Sequence, residues 1–142
     1  MRLVDANVLL YAVNESAERH ERSRNWLDAA LNGDEAVGFA WIALLAFVRL
    51  ATHAAVFPRP LTVTQAMDNV RAWLAQPVAV VIEPTSRHLN ILGGLLGESG
   101  TGGNLVNDAH LAALAVEHDA VLVSYDADFG RFAAVRWEMP SA

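Results

Sequence analysis

The first seven residues of this 142-residue chain constrain its fold more than any other stretch. Leu3 and Val4 form an apolar segment so short and so close to the N-terminus that it can only be a brief strand. Asp5 follows this strand, and a helical pattern over residues 8–13 begins soon after. In an open parallel sheet, ligands bind outside the carboxyl ends of the strands. Asp5 is therefore predicted to lie at such a strand end. A carboxylate there is poorly placed for a hydrophobic core and well placed to bind a metal ion.

The rest of the chain alternates between helical and strand patterns. Helices are predicted over residues 15–31, 41–56, 64–75, 86–96 and 104–118, with a Gly-rich loop at 97–103. Strands are predicted over 36–39, 78–82 and 120–124, with a last short one at 135–137. The unbroken apolar run at 78–82 is typical of a strand buried on both faces. This alternation predicts an α/β fold with a central, mostly parallel sheet and helices on both faces.

Composition narrows the class of protein. A hydrophobic fraction of 54% and a charged fraction of 18% predict a compact single domain over residues 1–142. We expect no membrane span and no secretory signal, and the lack of cysteine favours a cytoplasmic location. The formal net charge of −6 argues against a broad nucleic-acid-binding surface. All ten basic positions are Arg, the better bidentate phosphate ligand, but a GC-rich genome is the stronger explanation of this bias.

Three further aspartates stand out by context. Asp126 follows the predicted strand 120–124, and Asp108 lies near the start of the helix after the Gly-rich loop. If the first strand and strand 120–124 are neighbours, these two carboxylates meet Asp5 at one sheet edge, where a cation such as Mg²⁺ or Mn²⁺ would offset their repulsion. Asp5 and Asp126 could instead be ordinary turn residues, and Asp108 could complement a helix dipole. Asp128 is either a fourth ligand or the N-cap of a short helix at residues 129–132.

Three segments together resemble the PIN domain, and most closely the VapC-type toxins of bacterial toxin–antitoxin pairs. The segments are residues 3–7 (LVDAN), 107–115 (NDAHLAALA) and 122–129 (LVSYDADF). The resemblance covers nearly the whole chain and depends on the order and spacing of the three motifs. It implies a three-layer α/β/α fold and an endoribonuclease that depends on Mg²⁺ or Mn²⁺. It also implies a homodimer and a cognate antitoxin protein that blocks the site.

The resemblance assigns roles to individual residues by position. Asp5, Asp108 and Asp126 match the metal-site acids, and Asp128 matches a less regular extra acid. Two further residues match polar positions that support the site, namely Asn7 and Ser124.

Ala46 departs from the family pattern. The family usually has a Glu three residues before an Arg in the helix after the second strand, and here Ala46 precedes Arg49 at that spacing. Four explanations are open: one metal ion suffices, Asp128 or Glu98 substitutes, activity is reduced, or Ala46 was introduced to silence a toxic protein. Arg49 itself is interpreted as an RNA contact, a partner for an acid near the site, or a residue that only reaches solvent. His110 is interpreted as structural or dimer-facing.

The leading hypothesis is therefore a metal-dependent endoribonuclease, in which the metal activates water for attack on an RNA phosphodiester. The alternative is a catalytically impaired module of the same fold that binds RNA or protein. Ala46, at the place of the usual Glu, is the observation that suggests it. A third hypothesis is a phosphohydrolase for small molecules, because an Asp after the first strand is compatible with other α/β enzymes.

Overall fold

The computed structural model describes residues 1–100, 102–103 and 105–141. Within them, short strands alternate with helices, as predicted. The elements in chain order are β1 (Arg2–Val4), α1 (Ala6–Val13), α2 (His20–Leu31), β2 (Val37–Ala40), α3 (Trp41–Ala51), α4 (Val63–Leu74), β3 (Ala79–Ile82), α5 (His88–Ser99), α6 (Leu105–Glu117), β4 (Val121–Val123), a 3-10 helix (Ala127–Arg131) and β5 (Trp137–Glu138). No helix in this described part is long and apolar enough to cross a membrane.

The strands form one parallel sheet in the order β3-β2-β1-β4-β5. The first strand is central, and β4 is its direct neighbour: Leu3 pairs with Leu122 and Val4 pairs with Val123. The ladder continues one residue further, where the backbone N–H of Asp5 donates to the Val123 carbonyl at 3.0 Å. The carboxyl ends of β1 and β4 therefore lie side by side, which was the condition for a shared aspartate site.

Helices cover both faces of the sheet and give the expected three layers. Side chains alternate along each strand because successive residues of a strand point to opposite faces. Val4 and Val123 pack into a core with helices α1 to α4. Leu3 and Leu122 pack into a second core with α5, α6 and the segment of the 3-10 helix. The α/β/α arrangement is confirmed.

The prediction that strand 78–82 is buried on both faces was wrong. The strand exists as β3, but it lies at the edge of the sheet and pairs only with β2. Val80 is 41% exposed and Val81 is 37% exposed. An unbroken run of apolar, β-branched residues predicts a strand. It does not predict whether that strand lies at the centre or at the edge of the sheet.

Two predicted helices are shorter than their apolar patterns suggested. The helix predicted from residue 15 begins at His20, because Asn14 closes a turn by accepting hydrogen bonds from the backbone of Ser16 and Ala17. The helix predicted over 41–56 ends at Ala51, where the Thr52 hydroxyl donates back to the Val48 carbonyl. In both cases a local polar side chain competes with the helix for backbone partners.

The Gly-rich stretch begins later than predicted, because α5 continues through Gly97 to Ser99. The helix stops at Gly100, whose φ of 72° is the left-handed conformation that glycine adopts most easily. Thr101 and Asn104, which belong to the predicted loop and the predicted helix start, lie outside the described residues. The last strand was predicted at 135–137 and is found at Trp137–Glu138.

Candidate functional site

Asp5 occupies the point where β1 ends and α1 begins. Its backbone is extended, and its Oδ1 accepts a 2.7 Å hydrogen bond from the Ala6 N–H as the cap of α1. The helix therefore begins at Ala6, two residues earlier than predicted. The other oxygen, Oδ2, accepts a 2.7 Å hydrogen bond from the Ser124 hydroxyl. Both carboxylate oxygens are thus held by the carboxyl ends of two adjacent strands.

Ser124 connects the two strand ends to each other. It is fully buried. Its Oγ donates to Asp5 and accepts from the Asn7 side-chain amide at 3.0 Å and from the Asp126 N–H at 3.0 Å. Asn7 adds a second link, because its Oδ1 accepts from the Tyr125 N–H at 3.2 Å. The two residues predicted to support the site are therefore placed where they can orient Asp5 and Asp126.

Asp126 begins the 3-10 helix, and its Oδ1 accepts from the Asp128 N–H at 2.9 Å. This corrects one interpretation: a short helix is present, but its cap is Asp126 and not Asp128. The carboxylate of Asp128 instead faces Arg131, with 3.4 Å between Oδ1 and the guanidinium NH2 group. The Asp128 carboxylate is thus less firmly held than that of Asp5 and already has a cationic partner.

Asp108 faces the strand-end aspartates from α6. Burial raises the pKa of its carboxyl to about 6, and the negative charges of Asp126, Asp5 and Asp128 contribute to the rise. Burial also raises the pKa of Asp5, opposed by the hydrogen bonds from Ser124 and Ala6 and reinforced by the charge of Asp126. The coincidence predicted from three separate motifs is therefore found: these carboxylates lie close enough to repel one another.

A cavity of about 140 Å³ opens beside Asp5 and Asp108. Its wall also includes Ala46 and Ile42 from α3. The position where the family usually has a Glu is therefore at the aspartate site, and the alanine leaves the α3 side of this cavity apolar. A larger cavity of about 620 Å³ lies elsewhere, against α2, and none of the site aspartates lines it.

The donor set suits a hard divalent cation. Carboxylate oxygens are the usual ligands of Mg²⁺ and Mn²⁺, and a divalent cation would offset the repulsion that, after burial, contributes to the raised pKa of Asp108. In the described part of the chain, no three His, Asp or Glu side chains are gathered as a ready-made cage for one ion. Hydrogen bonds from the Ala6 N–H and the Ser124 hydroxyl hold the Asp5 carboxylate in place beside the other two.

Among the described residues, three other sequence candidates form no hydrogen bond or ion pair with the site aspartates. Glu98 is exposed, and its Oε1 accepts a 3.1 Å hydrogen bond from the Ala133 N–H. Arg49 is exposed near the end of α3 and forms no ion pair with any described residue. His110 Nδ1 lies 2.9 Å from His88 Nε2, which supports its structural interpretation.

The sequence interpretation missed an aromatic and basic group beside the site. Tyr125, between Ser124 and Asp126, is buried, and its hydroxyl lies 2.7 Å from the Ser23 hydroxyl on α2. The guanidinium of Arg19 lies over its ring, 4.5 Å from the centroid. Arg131 was missed as well, although its spacing of three from Asp128 is a helical ion-pair signal. The Arg19 contact has no such local signal, because α2 and Tyr125 are far apart in sequence.

The chain belongs to the PIN domain family, whose family model matches residues 2–135. It is 62% identical to a protein named Ribonuclease VapC37 from Mycobacterium tuberculosis, over 100% of this chain and 99% of the relative. The resemblance to VapC proteins found in the three motifs is therefore confirmed along the whole chain.

Solved structures share the fold at low sequence identity. VapBC2 from Rickettsia felis, bound to a DNA fragment from its promoter, matches with a TM-score of 0.72 and 19% identity over 99% of this chain and 98% of that one. A toxin–antitoxin complex from Klebsiella pneumoniae matches with a TM-score of 0.65 and 17% identity over 99% and 98% of the two chains. These likenesses establish the three-layer fold independently of the sequence motifs.

Proposed function

We propose that this protein is an endoribonuclease that uses Mg²⁺ or Mn²⁺ and acts as the toxin of a toxin–antitoxin pair. The observation that carries the proposal is the cluster of Asp5, Asp108 and Asp126. Two of these residues follow the ends of adjacent parallel strands, and the third faces them from α6 with a pKa raised to about 6. The full-length similarity to a relative named a ribonuclease supports RNA as the substrate.

The three aspartates would hold the metal. A bound Mg²⁺ or Mn²⁺ would supply Lewis-acid activation of water and neutralisation of charge at the phosphodiester. Ser124 and Asn7 hold the Asp5 carboxylate in one orientation, and the Asp126 N–H hydrogen bond to Ser124 fixes the second strand end. No side chain is needed as a nucleophile, because the chain's own part is to orient carboxylates and bind phosphate.

Substrate binding is expected to depend on the cation and on arginines at the rim. Without metal, the clustered carboxylates would repel RNA, so binding and cleavage should both need the cation. Arg49 is exposed on α3, the helix that also contributes Ala46 to the cavity, and remains our proposed RNA contact from that side. Arg19, ordered over Tyr125 next to Asp126, is a second exposed guanidinium near the site. Contacts of this kind bind phosphate without reading sequence.

We further propose a cognate antitoxin and a homodimer. The antitoxin is supported by the shared fold with the toxin–antitoxin complex from Klebsiella pneumoniae. The homodimer is supported by α3, where Trp41 is 47% exposed and Leu45, one turn further on, is 62% exposed. Apolar side chains exposed in this way often mark a contact surface. We expect the protein to act in the cytoplasm, where its RNA substrate would be.

The catalytically impaired alternative depends only on Ala46. Nothing in the fold or in the similar proteins favours it, because Asp5, Asp108 and Asp126 are all present and lie close enough to influence one another's charge. It predicts metal affinity without cleavage, whereas the ribonuclease hypothesis predicts both.

The test is cleavage of a mixed RNA pool by the purified, antitoxin-free protein in Mg²⁺, in Mn²⁺ and in chelator. Asp5→Asn is the site variant, and Asp34→Asn, at an exposed position after α2, is the control of equal charge change. We expect metal-dependent cleavage by the wild type and by Asp34→Asn, and none by Asp5→Asn. No cleavage of any RNA by the folded wild type in either metal would reject the proposal and favour the impaired module.

A further inference from the structure

Arg131 is the last residue of the 3-10 helix that Asp126 caps, so it lies one short helix away from a site aspartate. Its guanidinium NH2 group is 3.4 Å from Oδ1 of Asp128, which places a positive charge beside the carboxylate cluster. The backbone around it is firmly anchored, because Phe129 and Phe132 on either side are each only 1% exposed. The backbone that carries the Arg131 side chain is therefore held in place by the core.

The ion pair between Arg131 and Asp128 contributes too little stability to account for the pairing by itself. The two groups are 3.4 Å apart, and the Arg131 and Asp128 side chains are 43% and 58% exposed. An exposed pair of this kind contributes about 0–1 kcal/mol to stability. The guanidinium has five N–H donors in a rigid fork, and a single long contact leaves most of them available. Such a fork matches the geometry of a phosphate.

We propose that Arg131 contacts the phosphate of the bound RNA strand at the aspartate site, and that Asp128 positions Arg131 and is not a metal ligand. This inference depends on the proposed ribonuclease function. It gives the site a fixed cation next to the carboxylates, so that an RNA phosphate meets positive charge where the net charge of −6 would otherwise repel it. It also explains why Asp128 faces Arg131 and is exposed, while Asp5 is held by buried partners.

The chain offers a matched control for this pair. Asp68 and Arg71 form the same acid–arginine pair at a spacing of three on α4, with side chains that are 65% and 67% exposed. Arg71→Gln therefore removes an equivalent surface cation from an equivalent ion pair away from the aspartates. The test compares Arg131→Gln, Arg131→Lys and Arg71→Gln with the wild type, using a single-stranded RNA that the wild type cleaves.

We expect Arg131→Gln to lower kcat/KM roughly 10- to 100-fold, the range for losing a hydrogen-bonded contact to a charged group. The slope of log kcat/KM against log salt should become shallower by about 0.7, the contribution of one phosphate contact on a single strand. Arg131→Lys should keep the wild-type salt slope and recover only part of the rate, because Lys retains the charge and loses the fork. Arg71→Gln should match the wild type in both measurements.

The Mg²⁺-induced rise in Tm provides a readout that does not involve RNA. It should be undiminished in Arg131→Gln and in Asp128→Asn. Wild-type kcat/KM and salt slope in Arg131→Gln would overturn the inference and leave the ribonuclease proposal standing. Loss of the Mg²⁺-induced rise in Tm in either variant would also overturn it, since that loss indicates a role in metal binding or folding. Absence of cleavage by the wild type would reject the ribonuclease proposal and this inference together.

Discussion

The hydroxyl of Ser124 donates a 2.7 Å hydrogen bond to the carboxylate of Asp5, although the two residues are 119 positions apart in the chain. This contact joins the ends of β1 and β4 and determines how the first aspartate presents its oxygens. The same hydroxyl accepts from the Asp126 N–H, so one buried atom orients two site residues.

Ser124→Ala should therefore impair both folding and activity. The variant removes a donor from Asp5 and an acceptor from Asp126 in a buried place, which costs about 1–3 kcal/mol of unfolding free energy. Loss of a group that orients a metal ligand typically costs about 10- to 100-fold in metal affinity or activity. Urea unfolding and initial cleavage rates check the two effects. Ser86→Ala, at an exposed position before α5, is the control and should change neither.

Asp108→Asn should stabilise the metal-free protein and abolish its response to Mg²⁺. Burial and three neighbouring carboxylates raise the pKa of Asp108 to about 6, so at neutral pH, above that pKa, the ionised carboxylate destabilises the fold. Removing that charge should add about 1 kcal/mol to the unfolding free energy, after allowance for solvent screening of this half-buried group. Thermal unfolding with and without Mg²⁺ measures both effects. Unchanged Mg²⁺ stabilisation in Asp108→Asn would remove this residue from the metal site.

Ala46→Glu should restore a fourth carboxylate to the site. Ala46 lines the same cavity as Asp5 and Asp108, so a longer acidic side chain there can reach the site. Metal affinity rises with the number of charged ligands, and we expect a gain of about tenfold together with faster cleavage. Titration calorimetry with Mn²⁺ provides the affinity. Ala29→Glu, on the exposed side of α2, is the control, and equal behaviour of the two variants would show that position 46 has no special access to the metal.

Glu117 should make the stability of the protein sensitive to acid. Burial raises the pKa of Glu117, but hydrogen bonds from the Thr85 hydroxyl, from His88 and from the Thr85 N–H outweigh it and hold the pKa below its ordinary value of 4.5. The stabilisation is present above pH 4.5 and is lost as the pH falls through the lower folded value. Its site is the junction of α6 with the loop before α5.

The test is urea unfolding of Glu117→Gln beside the wild type from neutral pH downward. We expect the variant to be less stable by about 2–3 kcal/mol at pH 7, with the gap closing below pH 4.5. For Glu21→Gln, at an exposed position in α2, the unfolding free energy should change with pH as it does for the wild type. A gap that stays constant through the acid range would show that the ionised form of Glu117 is not the stabilising one.

Sequence reasoning placed the site better than it placed the boundaries of the elements. Asp5 and Asp126 could be predicted because strand ends in parallel sheets converge, and that rule needs only the order of strands and helices. The exposed position of β3 could not be predicted, because the apolar sequence of residues 78–82 is equally compatible with an edge strand and a central strand of the sheet. The early end of α3 could not be predicted either, because the apolar pattern continues past the residue where the helix stops. There the Thr52 hydroxyl donates to the Val48 carbonyl.

The residues that were missed at the site share a cause. Arg19 reaches Tyr125 only through the packing of α2 on the sheet, and sequence spacing does not encode that contact. Arg131 had a local signal in its spacing from Asp128, but Asp128 was interpreted as a ligand or a cap, and its partner was not sought. Asp126 proved to be the cap because the 3-10 helix begins two residues before the predicted one. A prediction of single residues therefore fails most easily where two of them act as a pair.

The most direct test of the central claim compares two curves measured on the same protein preparation: Mg²⁺ binding by calorimetry and the initial rate of RNA cleavage against Mg²⁺ concentration. If Asp5, Asp108 and Asp126 form a metal-dependent nuclease site, the Mg²⁺ concentration for half-maximal cleavage should match the Kd for Mg²⁺. Asp126→Asn should abolish both Mg²⁺ binding and Mg²⁺-dependent cleavage. Cleavage that persists in chelator, or that Asp126→Asn retains in full, would contradict the account.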